Sequence, residues 1–371
     1  MKKKIILFLI SLFLLNCSNM YGKNDVTILS LPEKAEKDSV FYNNFELQSI
    51  IPLQTVQQSI LNRIDRIILK DDYMLIQSKG VYIFDREGKF IRQIGCPGNG
   101  PGEYHQIIDV TIDNDNNIVI FSDDYKFIYY SKDGKYLRQE RLKDKKLFHD
   151  MQFINNELYV YSGTKYSDDE KLIKKYSNNT FSDCGDIIVA DFLGPRHVYT
   201  FGERFVKSKS ILFSQNTENI IYELKNGLPI KKYQINTPKL ITKKQIKELA
   251  QKGKNQNIAV DLLHSQTVLC FTSIRETKDG VFCETNLDSF IWIEPNGKCH
   301  KFRGIFNDKI SYAGLRYFAH DGDDDLLVFI ATPEFIVQRK KGDPNHPTEK
   351  ILQTVTEDDN PVLLFFRRKK G

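Results

Sequence analysis

The chain is poor in the residues that build redox, metal and cofactor centres. Of its 6 cysteines, none form a Cys-x-x-Cys pair. Setting Cys17 aside leaves Cys96, Cys184, Cys270, Cys283 and Cys299, an odd number, so neither a disulfide framework nor a zinc site is indicated. Cys270 and Cys283 fall in neighbouring candidate strands and could face one another; the alternative is small buried thiols. The 7 histidines (105, 149, 197, 264, 300, 320 and 346) form neither His-x-His nor His-Glu-x-x-His. The Gly-x-Ser-x-Gly turn of serine hydrolases is missing. Tryptophan occurs once, at Trp292. An excess of charge of one sign is also lacking. Lys and Arg number 53 against 48 Asp and Glu, and without Lys2, Lys3 and Lys4 the balance is about +2. That is no footprint for a nucleic acid. No apolar run is long enough to cross a membrane as a helix: residues 5–15, at ~1.5 Å per residue, reach about half of a bilayer core.

What the chain does have is a repeating β unit. Asp85-Arg86-Glu87-Gly88-Lys89-Phe90-Ile91-Arg92-Gln93 returns as Ser131-Lys132-Asp133-Gly134-Lys135-Tyr136-Leu137-Arg138-Gln139. Hairpin turns with strand-like flanks follow at Asn178-Asn179, Gly227, Gly297 and Gly342, mostly about 46 residues apart. Gly and Asn suit these places because hairpin turns need positive φ. Aromatic and β-branched enrichment suits strands. Six turns predict an all-β fold, a six-bladed β-propeller over residues 45–371, one four-stranded sheet per repeat. The longest gap, between Gly227 and Gly297, holds one short helical insertion at about 238–258. There Thr242 and Gln245 form a capping box, Ile246, Leu249 and Ala250 an apolar stripe, and Gly253 a stop. A ring must close, and the alternating segment 45–53 with the apolar segment 361–366 is expected to share one sheet.

Residues 1–16 read as a signal peptide, a basic start followed by an apolar stretch. Leu14-Leu15-Asn16-Cys17 resembles the bacterial lipobox, with Asn16 where a small residue is usual. That resemblance implies cleavage before Cys17 and its acylation; two or more chains hold a domain to a membrane at about 0.8 kcal/mol per buried CH₂. Residues 17–44 then read as a tether and entry segment.

Gly98-Asn99-Gly100-Pro101-Gly102-Glu103-Tyr104 resembles the Gly-x-Gly-Pro-Gly-Glu-Phe stretch of NHL repeats. Together with Ile64 to Leu69, the hairpin Phe84 to Ile94 and Asn360-Pro361-Val362-Leu363, it makes nearly the whole mature chain similar to the six-bladed propeller lipoproteins of Bacteroidetes. The resemblance implies the fold and an envelope location, periplasmic or at the outer-membrane surface, without a settled activity.

Candidate chemistry is sparse. The Gly98–Gly102 stretch lacks the lysine and helix of a phosphate loop, so Gly98, Gly100, Pro101, Gly102, Glu103 and Tyr104 read as a structural inter-blade connection. Asp113, Asp115 and Asn117 alternate as calcium ligands do, but Ile118 and Asp124 stand where a calcium loop wants Gly and Glu; an Asp/Asn turn is the reading. Asp321, Asp323, Asp324 and Asp325 beside His320 read as a solvated turn. His105, His149, His197 and His264 fall near blade openings that border a channel. No catalytic residue, metal ligand or cofactor is singled out. The expectation is a monomeric, lipid-anchored binding or scaffold propeller offering loops and a channel mouth to a glycan, peptide or protein. The alternative is a metal-assisted lyase or lactonase-like enzyme in the channel, or else a structural subunit of an envelope complex.

Overall fold

The computed structural model describes residues 26–142, 148–161, 173–177, 183–188, 205–214, 218–225, 228–242, 244–245, 248, 268, 271–287, 289–303, 315–322, 325–339 and 343–370. Six sheets stand radially as the blades of a propeller. The innermost strands, in chain order, are Arg66–Leu69, Ile107–Ile112, Asp150–Ile154, Val206–Lys207, Phe271–Thr277 and Arg316–Phe318. Within blades 1 to 5 consecutive strands pair antiparallel from the axis outward.

Strand periodicity explains why the blades stack. Side chains alternate between the two faces of a strand, and in a propeller both faces are covered. In blade 2, Ile118, Ile120, Ile128 and Tyr130 pack toward blade 1, while Val119, Phe121, Phe127 and Tyr129 pack toward blade 3. The same split places Val81 and Ile83 of blade 1 toward blade 2 and Tyr82 and Phe84 toward blade 6. The buried apolar residues fall into six clusters, one at each boundary between neighbouring blades. Middle strands therefore read as continuous apolar runs, and outer strands such as Tyr136–Arg141 alternate and face solvent.

Closure comes from the N-terminal side. Phe45–Pro52 pairs antiparallel with Val362–Arg368 and forms the outermost strand of blade 6, with Phe45 opposite Arg368 and Pro52 opposite Val362. Asn360 locks the join. Its Oδ1 accepts from Leu61 N at 2.8 Å, and its Nδ2 donates to Gln54 O and Ser59 O at 2.9 and 2.7 Å.

The entry segment is packed from Thr27 onward. Thr27–Ser30 adds a fifth, parallel strand to the outer edge of blade 4 and buries Leu29 between blades 4 and 5. Glu36 N donates to Lys301 O of blade 5 at 2.7 Å. Helix α1 (Asp38–Asn44) then inserts Phe41 between blades 5 and 6, in contact with Phe290, Phe302, Phe329 and Phe366. One continuous strap thus ties three successive blades before it closes the ring.

One expectation changes. Gly342 does not mark a hairpin turn between the last two strands of its unit. It falls, itself outside the described residues, in the connection from Leu327–Ala331 to Val362–Arg368, which carries helices α2 (Pro333–Gln338) and α3 (Pro347–Leu352). The last blade takes its fourth strand from the N-terminal side, so no final hairpin is needed. Helices α1, α2 and α3 form in addition to the expected insertion. Pro333 and Pro347 open α2 and α3 because the ring fixes a helical φ where no backbone N–H is required. At the expected insertion the Thr242–Gln245 capping bonds are present, with Gln245 N donating to Thr242 Oγ1 at 3.2 Å and Thr242 N to Gln245 Oε1 at 2.8 Å. Ile246, Leu249, Ala250 and Gly253 of that insertion, like Asn178-Asn179 and Gly227, lie outside the described residues.

Candidate functional site

The six blades meet at the axis on a buried arginine. Arg66, at the start of the first innermost strand, is 2% exposed. Its Nη1 lies 2.8 Å from both oxygens of Asp109 in blade 2 and 3.0 Å from Asp150 Oδ1 in blade 3. Nε donates to Asp321 Oδ2 of blade 6 at 2.9 Å, and Nη2 to Phe205 O at the entrance of blade 4 at 2.7 Å. Blade 5 joins through Arg275, fully buried, which donates to the carbonyls of His320 and Gly322 on either side of Asp321.

The carboxylates are held in turn. Asp109 accepts from Met151 N and Val110 N, at 2.7 and 2.8 Å, and Asp150 from Phe205 N at 3.1 Å. Gln152 Nε2 donates to Asp321 Oδ2 at 2.8 Å, and Lys207 N to Asp321 Oδ1. Burial is the largest influence on Asp109 and pushes its carboxyl up to about 8, with Asp150 adding to the rise and Arg66 opposing it. Buried charges are tolerated only when paired and hydrogen-bonded, and here one guanidinium supplies the pairing for three blades.

Above this network, at the chain-entry ends of the innermost strands, lies a cavity of about 770 Å³. Arg66, Asp109 and Asp150 border its floor, and Gln77, the cross-strand neighbour of Arg66, lies beside them. Ile64, Ile107, Ile108, Leu315 and Ile330 line its walls, and Phe335 of α2, 51% exposed, stands at the opening with Arg63 and Arg303. Ser273 also lines it from a bulge in the innermost strand of blade 5. Its φ of 52° is strained for a residue with a Cβ, and its hydroxyl donates to Glu284 Oε2 at 3.3 Å. Volume and lining are those of a small-ligand site.

The residues marked in the sequence fall in several places. Cys17, His197, His264, Cys270, Asp323 and Asp324 lie outside the described residues. Gly98 to Tyr104 connects blades 1 and 2: Gly100 N donates to Glu103 Oε2 at 2.8 Å, Tyr130 Oη to Gly102 O at 2.6 Å, and Tyr104 is buried between the two blades. Pro101 sits at the exposed tip of that connection. Asp113 holds a tight turn, accepting from Asp115 N and Asn117 N at 2.9 and 2.8 Å. His105 is exposed against Asp123, whereas His149 borders the cavity. Cys283 and Cys299 are free and buried, and burial pushes the Cys299 thiol up to about 11.

Asp321 corrects the reading of a solvated acidic turn. It is 3% exposed and belongs to the axial network, bridged to Ile68 of blade 1. Arg66, Asp109 and Asp150 escaped the sequence reading altogether. Their signal was a charged residue at or near the start of a largely apolar innermost strand: Arg66 and Asp150 open theirs, Asp109 is third in its own, and Arg66 and Asp109 are 43 positions apart. Among the described residues no group of three His, Cys, Asp or Glu is spaced to hold a metal ion; the three axial carboxylates close on a guanidinium.

Fold and site together define a six-bladed β-propeller with an axial ion network and a cavity beside it. The chain belongs to the family described as Domain of unknown function (DUF4934), which matches residues 27–367. A crystal structure of a Bacteroides fragilis protein described as exported superposes with a TM-score of 0.77 at 22% identity, over 93% of this chain and 100% of that one. Weaker likenesses, which carry no argument, include BamB from Moraxella catarrhalis (14% identity, TM-score 0.37, 77% of this chain and 75% of that one). Another is the extracellular domain of a one-component system from B. thetaiotaomicron (13% identity, TM-score 0.40, 70% of this chain and 29% of that one). No protein of curated function matches the sequence.

Proposed function

We propose that the chain is a lipid-anchored envelope protein whose propeller binds a glycan, peptide or protein partner at the axial cavity. The cavity carries this reading. It is about 770 Å³ in volume, Arg66 and its partners Asp109 and Asp150 border it, and much of its lining comes from the innermost strands. A site on rigid strands binds without a large ordering cost. The metal-assisted enzyme would need carboxylates free to hold an ion, and those at the axis are engaged by Arg66. The basic-then-apolar start, Cys17 and the exported Bacteroides fragilis relative support the envelope location. The Gly98 to Tyr104 connection supports kinship with NHL-repeat propellers.

A thermal-shift screen of the chain against glycan and peptide collections tests the cavity. A ligand that raises the melting temperature should lose its effect on Ile108→Trp, whose larger side chain fills the space. An undiminished shift in that variant removes the cavity from the function. For the anchor, cells fed a labelled fatty acid should mark the wild-type chain and not Cys17→Ser; equal labelling sinks the lipid reading.

A further inference from the structure

We propose that His300 is a proton-operated latch on the strap: charged, it clamps Glu36 to blade 5, and neutral, it releases residues 33–37 from the outer edge of that blade. Three observations carry it, none of them in the axial cavity.

The first is the surroundings of the ring. His300, on the outermost strand of blade 5 (Cys299–Phe302), is buried. Its Nδ1 lies 3.0 Å from both oxygens of Glu36 on the strap, and its Nε2 lies 2.7 Å from Glu294 Oε1, on the turn before the strand. A neutral imidazole has one N–H and one lone pair; the imidazolium has two N–H groups. With a carboxylate at each nitrogen, the charged ring makes both bonds, whereas the neutral ring turns a lone pair on an anion. From blade 6 comes Arg368, 4.0 Å from Glu294 Oε2 and over the Trp292 ring. Lys301, next along the strand, turns its Nζ to Glu33 O at 3.4 Å. Trp292 stacks on His300 with ring centroids 4.7 Å apart, and an indole face attracts a cation.

The second is which bond gives way. Glu294 holds the shorter bond and has Arg368 beside it, while His300 is the sole ion-pair partner of Glu36 among the described residues. The Glu36 carboxylate is also the more exposed, at 27% against 17% for Glu294. When the ring loses a proton, the one that remains stays on Nε2, and Glu36 turns to water, where an unpaired carboxylate is well solvated.

The third is what the latch covers. The outer strand Tyr136–Arg141 faces solvent, but all four residues of Cys299–Phe302 are buried. The strap lies along that edge, with Glu36 N donating to Lys301 O at 2.7 Å. Leu29 and Phe41 are seated in the core on either side of the stretch. Its release therefore leaves the ring closed and uncovers one strand edge, open to pairing.

Hydrogen exchange of the full chain, read as protection factors at about pH 5.5 and about pH 8.5, brackets the range in which histidine changes charge. Protection of the Glu36 amide should fall about tenfold or more at the higher pH, the weight of a charged hydrogen bond. In Glu36→Gln the change should vanish, because a neutral amide can accept from an N–H or donate to a lone pair. Trp292 is the single tryptophan, so its fluorescence reports on the ring stacked against it. It should brighten as pH rises, since an imidazolium quenches an indole it stacks on, and His300→Gln should abolish the brightening; if that variant does not fold, Glu36→Gln decides. Protection that stays level between the two pH values overturns the proposal. So does a fall of equal size in Glu36→Gln, which assigns the effect to another group, and so does fluorescence that ignores pH.

Discussion

At the scale of single residues, the axis is decided by Arg66. A lysine there would offer a point charge on a flexible stem, whereas the planar guanidinium reaches Asp109, Asp150, Asp321 and the Phe205 carbonyl at once. Asp109 makes this network sensitive to pH. Burial pushes its folded carboxyl up to about 8 from an ordinary 3.8, so across that window the native state holds a proton more firmly than the unfolded chain does. Stability from this group is complete below about pH 4 and is lost as pH rises through about 8. Melting temperatures between pH 5 and pH 9 should therefore fall for the wild type and fall less for Asp109→Asn. A steeper fall in the variant would show that the proton resides elsewhere.

At the scale of elements, the strap from Thr27 to Pro52 does more than its composition promises. Half of its residues are polar, yet three anchors engage three blades: Leu29 at the blade 4–5 boundary, Glu36 on blade 5, and Phe41 between blades 5 and 6. The Glu36 carboxylate also lies 3.0 Å from His300 Nδ1, whose Nε2 sits 2.7 Å from Glu294. Phe41 is fully buried among aromatic rings from both blades. Phe41→Ala should cost about 3–5 kcal/mol, because the surrounding strands cannot collapse onto the space it leaves. Chemical denaturation measures this, and a loss under about 1 kcal/mol would mean that the helix is not an integral part of the core. Helices α2 and α3 had a local signal in Pro333 and Pro347 at their first turns. The anchors ahead of Phe45 had none, since Leu29, Glu36 and Phe41 are single residues spaced over a short strand, a loop and a short helix.

At the scale of the whole molecule, stability is shared around a closed ring, and each cluster needs two blades. Removing residues 362–371 deletes the third strand of blade 6 and strands Phe45–Pro52 without a partner. That opens the clusters on both sides of blade 6, so cooperative unfolding should vanish from the melting curve; an unchanged curve would mean that the ring holds without its closure. Much of this plan was readable in the residues alone. The Gly88 and Gly134 hairpins, the apolar middle strands and the two terminal strands give blade number and closure, because turn chemistry and period-two burial are local rules. The axial site was not readable. Arg66, Asp109, Asp150 and Asp321 belong to four blades and become neighbours only when the circle closes, and the sequence separation of Arg66 and Asp321 is 255 residues. Nothing within a strand distinguishes a charge bound for solvent from one bound for the axis; long-range geometry makes that choice.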